Sequence, residues 1–331
     1  MRIAVDAMGG DSAPAEIVKG SVSAAASLPD VEVVLVGDER KIQAELAKLN
    51  GTPKSVSVRH ASEVVEMHEP PAFALKKKPD SSIMRSVELV ARREAEAVLS
   101  AGNTGAAVGA SIFLMGLLKG AKRPGIAVTV PTPKGQCTII DVGANIKCKP
   151  VHLYQYGIMA SIFSRCLAGK EKPKVGLLNV GEEDAKGTDL VKETFALLSK
   201  SSLNFVGNVE GRDIYKGDCD VVVCEGFVGN VVLKLSEALT QSVLIMLKQQ
   251  AEKDVWAELG LALCKPALDG LKQKLDYTEY GGAPLLGVNG GCIICHGRSD
   301  ARAIHNAVRA AANFGKYRVN DQIAAALETQ P

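Results

Sequence analysis

Short apolar and β-branched runs alternate with stretches of helical period from one end of the chain to the other. The runs fall at residues 3–5, 31–36, 56–59, 97–100, 125–130, 137–141, 175–179, 203–206, 221–223 and 291–295. Parallel strands need long crossovers that helices supply, and a strand covered on both faces reads as an unbroken apolar run. The alternation therefore predicts an α/β fold, a three-layer α/β/α sandwich around a largely parallel sheet. A chain of 331 residues holds two average domains or one large two-lobed one. No linker, repeat or low-complexity tract divides it, so residues 1–331 are read as a single two-lobed domain.

The alternation breaks once. Residues 231–275 carry almost no β signal and read as a projecting helical element, two helices parted near 253–255 and interrupted at Pro266. The first has an apolar stripe at Val232, Leu235, Leu239, Val243 and Met246. Composition closes off several classes of function. Lys and Arg number 39 against 37 Asp and Glu, a net charge of +2, and aromatic residues make up 4%, so no nucleic-acid partner is expected. Eight cysteines in a chain of this length are too sparse for a disulfide scaffold and suit a reducing cytosol. The opening residues enter a strand-like run at once, so no secretory signal is expected. The longest mostly apolar stretch, 106–118, is too short for a membrane span of about 20 residues.

Many runs end in turns where glycine sits beside a polar residue: Asp6-Ala-Met-Gly-Gly-Asp11, Gly37-Asp38, Ser100-Ala-Gly-Asn-Thr-Gly105, Asp141-Val-Gly-Ala-Asn145, Gly181-Glu-Glu183 and Glu225-Gly-Phe-Val-Gly-Asn230. Ligands of open α/β sheets bind beyond the carboxyl ends of strands, so these turns are expected to converge on one crevice. Glycine permits close backbone approach, and unpaired amides at helix starts favour an anion such as phosphate. The signatures G-x-x-x-x-G-K-[ST], G-x-G-x-x-G, G-x-S-x-G and H-E-x-x-H are missing, which disfavours kinases, nicotinamide dehydrogenases, serine esterases and metalloproteases.

Two turns bear most directly on chemistry. Asn230, just before the amphipathic stretch, reads either as a plain helix cap or as a carboxamide aimed into the crevice. Residues 181–187 read either as a solvated charged loop or as a platform setting Lys186 over the crevice to bind an oxyanion. Cys292 and Cys295 have metal-like spacing, but strand residues three apart point to opposite faces, so buried strand is the expectation and no metal site is assigned. His296 is open between site and structural roles. Ser299 is a plausible cap for the periodic segment that holds Ala303, Ile304, Ala307, Val308 and Ala311.

Several strings together resemble one family, the acyl-ACP:phosphate acyltransferases of bacterial phospholipid synthesis. They are Ile3-Ala-Val-Asp-Ala-Met-Gly-Gly-Asp11 with Ala13-Pro14, Ser100-Ala-Gly-Asn-Thr-Gly-Ala106, Arg123-Pro124, Asp141-Val-Gly-Ala-Asn145, Gly176-Leu-Leu-Asn-Val-Gly-Glu-Glu183 with Lys186-Gly187, Gly207-Asn-Val-Glu-Gly-Arg-Asp213, Gly226-Phe-Val-Gly-Asn230, and Tyr280-Gly-Gly-Ala-Pro-Leu-Leu-Gly287 with His296-Gly297. They run in one order from residue 3 to about 306. Three positions depart from the family's pattern: Lys147 where an acidic residue is expected, Glu225 for Asp before Gly-Phe, and Arg298 at a normally small position.

The resemblance implies a homodimer whose fold is similar to phosphotransacetylases and the isocitrate-dehydrogenase-like group. It implies the reaction of long-chain acyl-ACP with inorganic phosphate to give acyl phosphate and the carrier, with no cofactor. Lys186 is implied to stabilise charge and Asn230 to hydrogen-bond phosphate or the thioester oxygen. Substrate-binding positions are implied at Gly9, Gly10, Asp11, Ser100, Asn103, Thr104, Asp141, Asn145, Glu182, Glu183, Glu210, Gly229 and His296. The partner is a strongly acidic acyl carrier protein, for which Lys76-Lys-Lys78 is the first docking candidate and Lys147 with Lys149 the second. A cytoplasmic enzyme making a lipid-like product fits peripheral membrane contact through Val255, Trp256, Leu259, Leu261 and Leu263, flanked by Lys253 and Lys265, against a dimer-interface reading of the same cluster. The rival readings are a short-chain phosphate acyltransferase using coenzyme A and a non-catalytic, membrane-associated acyl-lipid binding protein.

Overall fold

The computed structural model describes residues 1–275 and 281–328. The strands are β1 (Arg2–Asp6), β2 (Glu32–Gly37), β3 (Val56–His60), β4 (Ala97–Ser100), β5 (Gly125–Thr132), β6 (Gly135–Ile140), β7 (Lys174–Leu178), β8 (Asn204–Val209), β9 (Val221–Val223), β10 (Ala283–Leu286) and β11 (Gly291–Ile294). The helices are α1 (Ala15–Ser27), α2 (Glu39–Leu46), α3 (Pro71–Lys77), α4 (Ser82–Ala91), α5 (Thr104–Ala110), α6 (Pro150–Ala168), α7 (Asp189–Ser199), α8 (Gly211–Lys216), α9 (Gly226–Ala251), α10 (Val255–Leu263), α11 (Lys265–Leu275), α12 (Ala301–Lys316) and α13 (Val319–Glu328).

Among the described residues the strands make one 11-stranded sheet, ordered β3-β2-β1-β4-β11-β10-β5-β6-β9-β7-β8. Alternate residues of a strand enter different cores, as the period of two requires. Ala4, Val98, Cys137, Val222 and Cys292 share one core along a single face. On the other face Ile3, Val5, Leu99 and Cys295 pack with α1, α2 and α12, while Ile140, Val221 and Val223 pack with α6, α7 and α13. These cores are the three layers the alternation predicts. Cys292 and Cys295 do lie on opposite faces.

The sheet departs from the expectation at its centre. β10, a strand not legible as one, pairs antiparallel with both β11 and β5, and β5 forms an antiparallel hairpin with β6. The parallel set β6, β9, β7 and β8 therefore runs opposite to the set β3, β2, β1, β4 and β11. Carboxyl ends point both ways along the sheet. The polar turns split between its two halves, and only those beside the central strands meet.

Residues 226–275 form three helices rather than two. Asp254 caps α10 through the Trp256 N–H, and Pro266 sits in the first turn of α11, where its missing N–H costs no helical bond. α9 starts before the expected position because Glu225 accepts the N–H groups of Phe227 and Val228. Likewise Asp300 rather than the buried Ser299 caps α12, accepting the Ala303 N–H. In the α9 stripe only Val232 packs on the core, while Leu235, Leu239, Val243 and Met246 are all more than half exposed. By length and composition α9 is long and apolar enough to cross a bilayer, yet its first three turns form the wall of a cavity.

Candidate active site

The cavity, of about 440 Å³, opens where the two halves of the sheet meet. One wall carries Thr104, Gly105, Cys295 and His296; the floor is Ile126, Val128, Thr129, Gly282, Ala283 and Ile294; the opposite wall is Val142, Gly143, Ile146, Gly226, Phe227, Asn230, Leu233, Lys234 and Glu237. It is apolar with a few convergent polar groups, the composition expected of a small-molecule site.

Asp141 builds the second wall. Its buried Oδ1 accepts from the N–H groups of Ile126 at 3.1 Å, Gly143 at 3.0 Å and Ala144 at 2.9 Å, and Oδ2 accepts from the Asn145 N–H at 2.8 Å. Burial pushes its carboxyl above the ordinary 3.8, with the four N–H groups opposing. The carboxylate thereby shapes the 141–145 loop. The Asn145 carboxamide donates to the Pro124 carbonyl at 2.6 Å and to the Tyr156 hydroxyl at 2.9 Å. α9 docks on this loop through the Gly226 N–H and the Asn145 carbonyl, 2.9 Å apart. A Cβ at Gly229 would overlap the Asp141 carbonyl oxygen, so the glycine there serves close packing of helix on loop.

With Glu225 as the cap, Asn230 lies inside α9 and the plain-cap reading falls away. Its side chain stands over Gly143, with Oδ1 3.7 Å from the position a Cβ would take there, and makes no hydrogen bond among the described residues. Lys234, one turn on, lines the same cavity and has no ion pair among the described residues. Residues four apart share a helix face, so a carboxamide and an ammonium point the same way. The sequence reading missed Lys234, since a lysine followed three residues later by Glu237 reads as a solvated helix face.

The other wall holds its predicted residues differently. Asp6 accepts the Ser100 hydroxyl at 2.7 Å, and a Cβ at Gly9 would sit 2.5 Å from the Asp6 carboxylate, so the 6–11 and 100–102 turns are zipped together. Asp11 donates its N–H to the Gly297 carbonyl at 2.7 Å, and Gly10 packs on Ala101. Asn103 caps α5 and tethers a neighbouring segment, while Thr104 and His296 reach the cavity. The structure thus brings Thr104, His296 and Asn230 together, with Asp141, Asn145 and Gly229 directly behind them.

Lys186 is not among the residues lining the cavity. It sits on the β7–α7 loop, half-exposed, with Nζ 2.8 Å from Glu183, and the pairing raises the lysine and lowers the carboxyl from their ordinary ranges. Glu182 and Glu210 share Arg212 in the same region, and Glu210 also caps α8. Residues 182–186 and 210 thus form a charged cluster apart from the cavity lining.

The chain matches the family model described as "Fatty acid synthesis protein" over residues 1–322. It is 49% identical over 328 residues to the phosphate acyltransferase of Geotalea uraniireducens (strain Rf4), covering 99% of this chain and 94% of that protein. It is 48% identical over 330 residues to the phosphate acyltransferase of Geobacter sulfurreducens, covering 100% and 95%. The chain belongs to the phosphate acyltransferase family. As a member it is an acyltransferase of fatty-acid and phospholipid synthesis, which sets aside the non-catalytic reading. Its fold is similar to a phosphotransacetylase from Streptococcus pyogenes (TM-score 0.65, 16% identity, 96% of this chain and 94% of that one) and to a phosphotransacetylase from Staphylococcus aureus (TM-score 0.62, 15% identity, 95% and 94%). At such identity the likeness shows the fold, and the expected similarity to phosphotransacetylases is borne out.

Proposed function

We propose that the cavity is where a long-chain acyl group passes from the thioester of acyl carrier protein to inorganic phosphate, giving acyl phosphate and the carrier thiol. Asn230 carries the reading: a carboxamide without an internal partner among the described residues, on a cavity wall, one turn from the cation Lys234. Apolar side chains such as Ile126, Val128, Val142 and Leu233 give the acyl chain its surroundings.

Phosphate is its own nucleophile. One of its oxygens attacks the thioester carbon, the carbonyl oxygen takes up the charge, and as the carbonyl re-forms the C–S bond breaks and the thiolate, a far better leaving group than an alkoxide, departs and takes a proton from solvent. The protein's tasks are to hold phosphate in line and to stabilise the oxyanion. Lys234 and Asn230 are assigned to phosphate and the thioester oxygen, with Thr104, Thr129 and His296 around them. Lys186, as the resemblance implies, is assigned to charge stabilisation and must first leave Glu183. No cysteine relay is invoked: burial pushes the Cys295 thiol up to about 12 and the Cys148 thiol up to about 11, so neither is a nucleophile near neutral pH.

The enzyme is assigned to the cytoplasm as a homodimer that covers part of the α9 stripe. The tip bearing Val255, Trp256, Leu259 and Leu263, each at least half exposed, is assigned to peripheral contact with the membrane. The reaction is tested by incubating palmitoyl-carrier with enzyme, with and without phosphate, and trapping acyl phosphate as the hydroxamate. Phosphate-dependent hydroxamate is expected, undiminished by excess acetyl-coenzyme A. Efficient competition by acetyl-coenzyme A would favour the short-chain reading instead.

A further inference from the structure

The loop that follows the cavity-lining residues Val142, Gly143 and Ile146 belongs to a cluster of unneutralised cations. The Pro124 carbonyl accepts from Asn145 Nδ2 at 2.6 Å and from the Tyr156 hydroxyl at 3.2 Å, and the Lys122 N–H donates to Gln155 Oε1 at 2.8 Å. Segment 122–124, the loop 145–149 and the start of α6 are thereby bound into one body. It carries Lys122, Arg123, Lys147 and Lys149, all exposed, and α6 has no acidic residue in its first turn. None of the four makes an ion pair within 4.0 Å among the described residues.

Two carboxylates beside Cys148 of this body, Asp141 and Glu225, are engaged elsewhere. Asp141 is buried on its four loop N–H groups, and Glu225 accepts from Phe227 and Val228. Arg123 and Lys149, after burial, hold the His152 imidazole below its ordinary range, as expected of a locally positive field. Ile146, beside Lys147 in the chain, is 70% exposed and also lines the cavity, so the loop that carries Lys147 and Lys149 reaches the site.

The other basic run is different. Lys78 is bound to Glu69 at 2.6 Å and to the Val64 carbonyl at 2.7 Å, and the adjoining Asp80 is held by Arg85. Only Lys76 and Lys77 stay exposed there.

We infer that the Lys122–Arg123–Lys147–Lys149 rim is the landing surface for the acidic carrier protein, which seats there and passes its thioester-bearing arm over Ile146 into the cavity. The inference rests on the proposed reaction. Charge complementarity selects this occupant: four cations without an ion pair among the described residues match an acidic protein surface, whereas a second copy of the chain brings a net charge of +2.

The test is the double variant Lys147→Glu/Lys149→Glu, with Lys147→Arg/Lys149→Arg as the conservative partner and thermal melting as the check on folding. The substrates are palmitoyl-carrier and palmitoyl-pantetheine, a neutral thioester with no protein surface. With the carrier substrate, charge reversal should lower kcat/KM about tenfold or more at low salt, through KM, and flatten its salt dependence, because rim charges act on association. Turnover of palmitoyl-pantetheine and carrier turnover by the Arg variant should match wild type. An unchanged carrier KM and salt profile would overturn the inference, as would an equal fall with both substrates or a larger effect from Lys76→Glu/Lys77→Glu. If wild-type enzyme consumes neither substrate with phosphate, the reaction itself is wrong, a result distinct from failure of the rim.

Discussion

Asn103 and Asn230 each come after a strand end, one in either half of the sheet, yet they are used in opposite ways. Asn103 has every polar atom engaged: Oδ1 accepts the Ala106 N–H at 3.0 Å and Nδ2 donates to the carbonyls of Glu66, Met67 and Glu69 at 3.2, 3.1 and 2.9 Å. Asn230 sits in a helix whose first amides Glu225 has already satisfied, so its carboxamide remains for the cavity. A polar residue at such a turn is available to a ligand only when another group has met the orphan donors of the helix start. The aspartates repeat the contrast, Asp6 joining two turns of the first half through the Met8 N–H and the Ser100 hydroxyl and Asp141 holding up a cavity wall on four amides.

The largest expected effect separates the aspartates. Asp141→Ala orphans four amides and should cost roughly 3–5 kcal/mol, each unpaired buried donor being worth about 1–3 before relaxation. Asp6→Ala should cost less in the same chemical denaturation experiment. Equal losses would end the distinction between a cavity support and a turn clasp. Next, Lys234→Ala should lower kcat/KM by about 10–100-fold through phosphate binding, as expected for loss of one charged donor. Lys186→Ala should lower kcat by a similar or larger factor. Near-wild-type turnover of Lys186→Ala would leave the cation's role to Lys234 alone.

Smaller effects are expected away from the cavity. Leu259→Glu/Leu263→Glu should free the enzyme from anionic liposomes in a flotation assay while turnover and dimer mass persist; loss of the dimer would assign the tip to the interface. The smallest effect lies in the first half. Ser62 and Arg85 hold the Asp80 carboxyl at about 2, against an ordinary 3.8. A lowered carboxyl contributes stability above its unfolded pKa and loses it as pH falls through the folded one. The segment around Ser62 and Arg85 should therefore loosen between pH 3.8 and about 2 in hydrogen exchange, and Asp80→Asn should remove that step.

The interior parallel strands β1, β2, β4, β9 and β11 were legible because they are buried along nearly their whole length, which leaves apolar runs in the sequence, while the edge strands β3 and β8 showed through their valines and phenylalanine despite their exposure. β10 was not, since Ala-Pro-Leu-Leu has no β-branched residue and Pro284 argues against a central strand. With β10 hidden, so was the reversal between the two halves, a property of strand pairing that no local pattern encodes. At the site, the turns of residues 141–145 and 226–230 were found from glycine beside polar residues, but which side chains remain available depends on hydrogen bonds closed across the chain. Asp141 and Asn145 read as ligand contacts, and their side chains are hydrogen-bonded to the 141–145 loop, Ile126, Pro124 and Tyr156. Lys186 looked poised over the crevice and is paired with Glu183 outside the cavity lining, whereas Lys234 was hidden in a helical pattern.

The most direct test supplies palmitoyl-carrier and radiolabelled phosphate to wild-type enzyme, Asn230→Ala and Asn103→Ala, and counts label extracted as acyl phosphate. Wild-type enzyme should label the lipid phase. Asn230→Ala should do so about 100–1000-fold more slowly with an unchanged melting temperature, since it removes one donor to the reacting centre. Asn103→Ala should melt earlier, by about 1 kcal/mol of stability for a lost cap, and keep most of its turnover below that temperature. Labelling by Asn230→Ala at the wild-type rate, or no labelling by the wild type, would contradict the assignment of phosphate acylation to this cavity.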